Sequence, residues 1–125
     1  MTESDRKSLA ADPDGLKTYE YIANHIDTCR DDIDELVDNM AKVDLTGQFL
    51  ASAARYLHAI DPEVFAEPVH RLVSATIDRD REHRYLPDIL LSIYGPDYAD
   101  RSDELRASAN NFRRIYKRLF PSTAI

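Results

Sequence analysis

Between Tyr19 and Val43 the apolar residues Tyr19, Ile22, Ile26, Cys29, Ile33, Leu36, Met40 and Val43 recur at steps of three and four without a miss. That spacing lines them along one side of an α-helix, and the period of two that a strand requires fails over the same stretch. On the reverse side lie Glu20, Asp27, Asp31, Asp34, Glu35 and Asp38, an acidic stripe facing away from the seam. A chain that has to bury a seam of this length is committed to packing helix on helix.

The start signal for the segment is Asp12-Pro13-Asp14, an acidic N-cap followed by proline at the first helical position and acid in the first turn. One long helix from there to Lys42 is predicted, roughly 30 residues or ~45 Å. The polar, aperiodic stretch Met1 to Ala11 reads as a disordered tail. Asp44 caps a second helix, Leu45 to Ile60, whose apolar residues spread around most of the circumference, as in a helix buried on several sides. Its small run Ala51-Ser52-Ala53-Ala54 permits close approach of a neighbour.

Asp61-Pro62-Glu63 and Pro68 introduce a third segment with the apolar face Val69, Leu72, Val73, Thr76 and Ile77. The charged run Asp78 to Arg84 reads as its solvated end. Pro87 and Gly95-Pro96 bracket a short apolar helix, and a last helix runs from about Arg101 to Leu119. No internal repeat is apparent. The expectation is an all-α fold, a compact bundle of four to five mostly antiparallel helices led by one long N-terminal helix. Residues 12–120 form the domain and 121–125 a C-terminal tail.

The formal net charge is −7, and all of the excess falls on residues 1–45, which disfavours nucleic acid and anionic membrane as partners. No stretch approaches the ~18 apolar residues of a membrane span. Met1 to Ala11 lacks the apolar core of a secretory signal, so a cytoplasmic location is expected. Cys29 is the single cysteine, which excludes an intrachain disulfide. Within the seam it reads as a small hydrophobe.

Two clusters bear on chemistry. Asp31, Asp34, Glu35 and Asp38 stand at helical spacings that bring carboxylates onto one face, the kind of oxygen cluster by which proteins hold divalent metals. In size and in these acidic pairs the chain resembles the all-α nucleoside triphosphate pyrophosphohydrolases. That resemblance implies Asp31/Asp34 or Glu35/Asp38 as one magnesium-binding pair, with Asp88 of Leu86-Pro87-Asp88-Ile89-Leu90-Leu91 in a second. The chain departs from that pattern where Tyr85 replaces a glutamate and Pro87 interrupts the helix. The plainer reading of the acidic stripe is ion pairing with basic side chains nearby, such as those of the last helix.

The second cluster is basic. Arg106, Asn110, Arg113 and Lys117 form one stripe of the last helix, with Arg114 and Arg118 beside it, able to hold a phosphate-bearing ligand or an acidic partner. An anion binder requires Arg113 and Lys117 to line a concave pocket. The four histidines, His25, His58, His70 and His83, fall on separate segments, and Glu67-x-x-His70 is a single copy of a pair that di-iron bundles use twice.

The function expected from these features is non-catalytic: a protein-interaction or oligomerisation module without a cofactor, pairing with a protein or with itself through the Tyr19–Val43 seam, which outruns its shorter neighbours. The alternatives are a magnesium-dependent nucleotide pyrophosphohydrolase and a binder of an anionic small ligand.

Overall fold

The computed structural model describes residues 1–121; the last four residues of the expected C-terminal tail lie outside that range. Among the described residues the secondary structure is entirely helical, in eight short α-helices: α1 Glu3–Ala10, α2 Leu16–Asn24, α3 Ile33–Val43, α4 Gln48–Ile60, α5 Ala66–Arg79, α6 Leu86–Tyr94, α7 Ser102–Ser108 and α8 Asn110–Leu119. The expected four to five helices become eight through three departures, each with a local cause.

First, the polar N-terminus is not a tail. Thr2 caps α1, its hydroxyl accepting from the Asp5 amide while the Asp5 carboxylate accepts from the Thr2 amide, the reciprocal arrangement that closes a helix start. The Thr2 amide holds the Asp5 carboxyl below its ordinary range. Leu9 anchors the helix in the core, and the N-terminal ammonium sits 3.0 Å from Asp32.

Second, the long helix is broken. Gly15, at φ +105°, delays the start of α2 to Leu16, and α2 ends at Asn24. A turn follows in which the Cys29 amide donates to the His25 carbonyl at 2.7 Å and the Asp32 amide to Cys29 at 2.9 Å. A single 3₁₀ turn, Arg30–Asp32, then leads into α3. These bonds span three or four residues, as helical bonds do, so the apolar phase runs through the break while the chain folds α2 against α3. The seam is thereby largely covered within one molecule: Ile22, Cys29, Ile33, Leu36 and Met40 are at most 3% exposed, while Tyr19, Ile26 and Val43 are half-buried. The continuous helix on which the homodimer was expected to form is broken into α2 and α3.

Third, the last helix is split at Ala109, whose backbone is extended at φ −124° and ψ 105°. The bend lets Leu105 of α7 and Phe112 and Ile115 of α8 all reach the core.

The helices stack as successive hairpins in two layers. α1 packs on α3 and α3 on α5 in one layer; α2 packs on α4, α4 on α6 and α6 on α8 in the other. α4 touches α2, α3, α5 and α6, its contact with α5 being the most extensive between any two helices, and its buried Ala51, Ala53 and Ala54 allow this crowding. Around it Leu36, Met40, Leu50, Leu57, Leu72, Ile77, Leu86, Ile89 and Phe112 are fully buried.

No internal repeat is apparent in the sequence, yet the hairpins share one. Asp12, Asp44 and Asp80, at most 4% exposed, each open the loop that turns one helix into the next: α1 into α2, α3 into α4, α5 into α6. Asp12 accepts from the amides of Asp14, Gly15 and Thr18 and from the Thr18 hydroxyl. Asp44 accepts from the amides of Thr46, Gly47, Phe49 and Leu50. Asp80 accepts from Arg84, Tyr85 and Leu86. One oxygen closes the loop and the other takes the orphan amides at the start of the next helix, so each aspartate caps from several residues upstream.

Three residues after each aspartate the backbone turns left-handed, at Gly15, Gly47 and His83. The loops also rest on one another. A Cβ at Gly15 would lie 3.1 Å from the Asp44 Cβ, and one at Gly47 3.4 Å from the Asp80 Cβ. Asp80 lies within the charged run expected to be solvated; it is buried because the backbone of Arg84, Tyr85 and Leu86 folds back over it and donates its three amides.

Candidate functional site

Most carboxylates of the acidic stripe on α3 are met by arginines of neighbouring helices. Asp34 and Asp38 of α3 both receive the guanidinium of Arg71 on α5, at 3.2 Å in the case of Asp34. Glu35 receives Arg6 of α1 at 2.6 Å, and this contact holds the Arg6 guanidinium above its ordinary pKa. Asp31 lies exposed on the 3₁₀ turn. Asp88, on α6, faces Arg55 of α4 at 3.9 Å and does not join the α3 carboxylates. Among the described residues no group of three or more His, Cys, Asp or Glu is arranged to hold a metal ion. The partners of the stripe are the arginines of α1 and α5 rather than those of the last helix, so its charges tie the first three hairpins together.

The basic stripe divides. Arg114 turns inward to α5, donating to the Ser74 hydroxyl at 3.1 Å and to Asp78 at 2.9 Å, and Arg118 reaches the Ile77 carbonyl. Arg106, Arg113 and Lys117 stay together. With Asp103, Ala107 and Tyr116 they line a cleft of about 430 Å³ in the elbow between α7 and α8. The extended residue Ala109 creates that elbow, and it has no counterpart in a continuous helix.

Two of the three cations are held in place. Arg106 is bonded to Asp103 at 2.5 Å and lies over the Tyr116 ring, 4.7 Å from its centre, a favourable cation–π contact. Arg113 donates to the Asn110 side-chain oxygen at 2.6 Å. That partner is neutral, so the contact orients the guanidinium without cancelling its charge. Lys117 is exposed at the rim.

Tyr116 is itself fixed, with Phe112 at 5.7 Å and Phe120 at 4.8 Å between ring centres. The structure thus brings together Arg106, Arg113 and Lys117 of the candidates named from sequence and sends Arg114 elsewhere. The contribution of Asp103 and Tyr116 was not legible, because it depends on a bend that helical spacing does not announce.

The histidines remain dispersed, although His58 and His70 now line one hollow of about 240 Å³ with Tyr94 and Asn111. Asn111 is buried and donates to the His70 carbonyl at 3.1 Å, while burial pushes the Tyr94 hydroxyl up to about 12. Cys29 is 2% exposed and burial raises its thiol pKa, the state of an inert core residue. No helix among the described residues is long and apolar enough to cross a membrane.

No family model matches this chain, and no curated protein or solved structure is significantly similar to it. The geometry of the α7–α8 elbow therefore carries the functional reading by itself.

Proposed function

We propose that this chain is a non-catalytic binding module that engages its partner through an anionic group seated in the α7–α8 cleft. One observation carries the reading: Arg106, Arg113 and Lys117 converge on a single concavity opposed by one carboxylate, and that carboxylate is already bonded to Arg106. Guanidinium groups held by neighbours are pre-set donors for carboxylate, sulfate or phosphate oxygens. The alternative, a magnesium-dependent hydrolase, is less favoured: of the carboxylates it would use, Asp34 and Asp38 face Arg71, Glu35 faces Arg6 and Asp88 faces Arg55, while Asp31 lies exposed.

The test is a backbone-amide NMR titration with sulfate, phosphate and citrate at low salt. Saturable shifts confined to residues 103–117, and abolished in Arg113→Ala/Lys117→Ala, are expected. Shifts spread over the whole surface, or none at 10 mM of any anion, would overturn the reading.

A further inference from the structure

Resting on that reading, we infer that the cleft is a site for a small phosphate monoester, a phosphoryl dianion on an organic group of sugar size. Three features of the lining lead there. The first is charge: three cations face one carboxylate, an excess that suits an anion carrying close to two charges, as a phosphate monoester does near neutral pH. The second is size. At about 430 Å³ the concavity falls in the ~300–1,000 Å³ range of small-molecule sites, more than a bare phosphate fills, and the Ala107 methyl supplies apolar wall for the remainder.

The third feature is what the aromatic residue can no longer do. One face of Tyr116 carries the Arg106 guanidinium, and Phe112 and Phe120 pack against the ring. A nucleobase gains much of its affinity by stacking on an open aromatic face, and Tyr116 has been taken up before a ligand arrives. The recognition left is of oxygens by oriented N–H donors, with Arg113 as the fork whose charge no carboxylate among the described residues offsets. No histidine lines the cleft, so a change of affinity between pH 5 and pH 7.5 reports the ligand's protonation rather than the site's.

The experiment is calorimetric titration of the full chain at low salt with glucose 6-phosphate, glucose 6-sulfate, inorganic phosphate, ATP, citrate and a short phosphoserine peptide. Glucose 6-phosphate is expected to bind at least as tightly as any other probe and about tenfold more tightly than the sulfate ester, which keeps one charge. Its affinity should rise about tenfold from pH 5 to pH 7.5 as the second proton leaves near pH 6. Arg113→Ala and Lys117→Ala should each weaken it about tenfold or more, with unchanged thermal melts showing the fold intact.

Equal binding of the sulfate ester, a flat pH profile, or tighter binding of citrate would sink the phosphate assignment while leaving an anion site. Tighter binding of ATP or of the phosphopeptide would overturn the sugar-sized organic group. If no probe binds in the millimolar range, this inference and the proposed function fall together.

Discussion

Replacing Asp44 by alanine removes the acceptor for four backbone amides at once. Its carboxylate is 1% exposed and takes the Thr46, Gly47, Phe49 and Leu50 amides at 2.8–3.0 Å. Losing an ordinary N-cap destabilises by ~1 kcal/mol. Here the Gly47 and Leu50 bonds are buried, and each donor stranded away from water adds ~1–3 kcal/mol. The sum is about 3–7 kcal/mol, a large part of the ~5–15 kcal/mol that holds a domain together.

Asp61→Ala is the reference. Asp61 receives only the Glu63 and Val64 amides, both at 3.1 Å in an exposed setting, so its loss should be about 0.5–1 kcal/mol. Urea unfolding followed by far-UV circular dichroism measures both. An Asp44→Ala midpoint within ~1 kcal/mol of Asp61→Ala would refute the idea that buried aspartates carry the hairpin loops.

The same loops give three further tests. Burial alone would raise the Asp12 pKa, but the bonds from Thr18, Gly15 and Asp14 outweigh it and hold the group below its ordinary 3.8. A carboxyl with a lowered native pKa binds fewer protons folded than unfolded, so its stabilisation is complete above the unfolded value and drains away as pH falls through the native one. Asp12→Asn should therefore flatten the loss of stability below about pH 4, measured by urea midpoints between pH 5 and pH 2.5. Gly15→Ala should destabilise more than Gly47→Ala, ~2–3 against ~1 kcal/mol, because its methyl meets Asp44 at 3.1 Å rather than Asp80 at 3.4 Å. His83→Gly, which relieves a left-handed backbone at φ 58°, should instead raise the melting temperature, by ~0.5–1 kcal/mol of stability. Finally, Cys29 should resist a thiol reagent in the native protein and react as the chain unfolds, with a rate that tracks urea concentration.

The burial pattern was readable from spacing, and the path of the chain was not. Ile22, Cys29, Ile33, Leu36 and Met40 line the core as their steps of three and four require, because amphipathic period reports which side is buried. It does not report whether the axis is continuous, and the turn between His25 and Asp32 keeps the same phase while ending one helix before the next begins. Asp12 and Asp44 were legible as helix caps, but they act from upstream, with Gly15 and Gly47 intervening. The third member was hidden among charges, since Asp80 is followed by His83 where the first two loops carry glycine. At the C-terminus the residues of the basic stripe were identifiable, and Arg114 departs from Arg113 because successive residues of one helix point to different sides, whereas the concave elbow that gathers Arg106, Arg113 and Lys117 depends on the bend at Ala109.

The shared loop also defines how this architecture would be recognised in another chain. Helical cores accept many combinations of apolar residues at similar volume, so overall identity decays quickly between such stacks. An aspartate whose carboxylate accepts the loop's buried amides, followed three positions later by a residue that tolerates a left-handed backbone, is far less exchangeable. Two anchor positions per hairpin, about 32 and 36 residues apart here, form a sparse signature that whole-length similarity dilutes and a spaced pattern would retain.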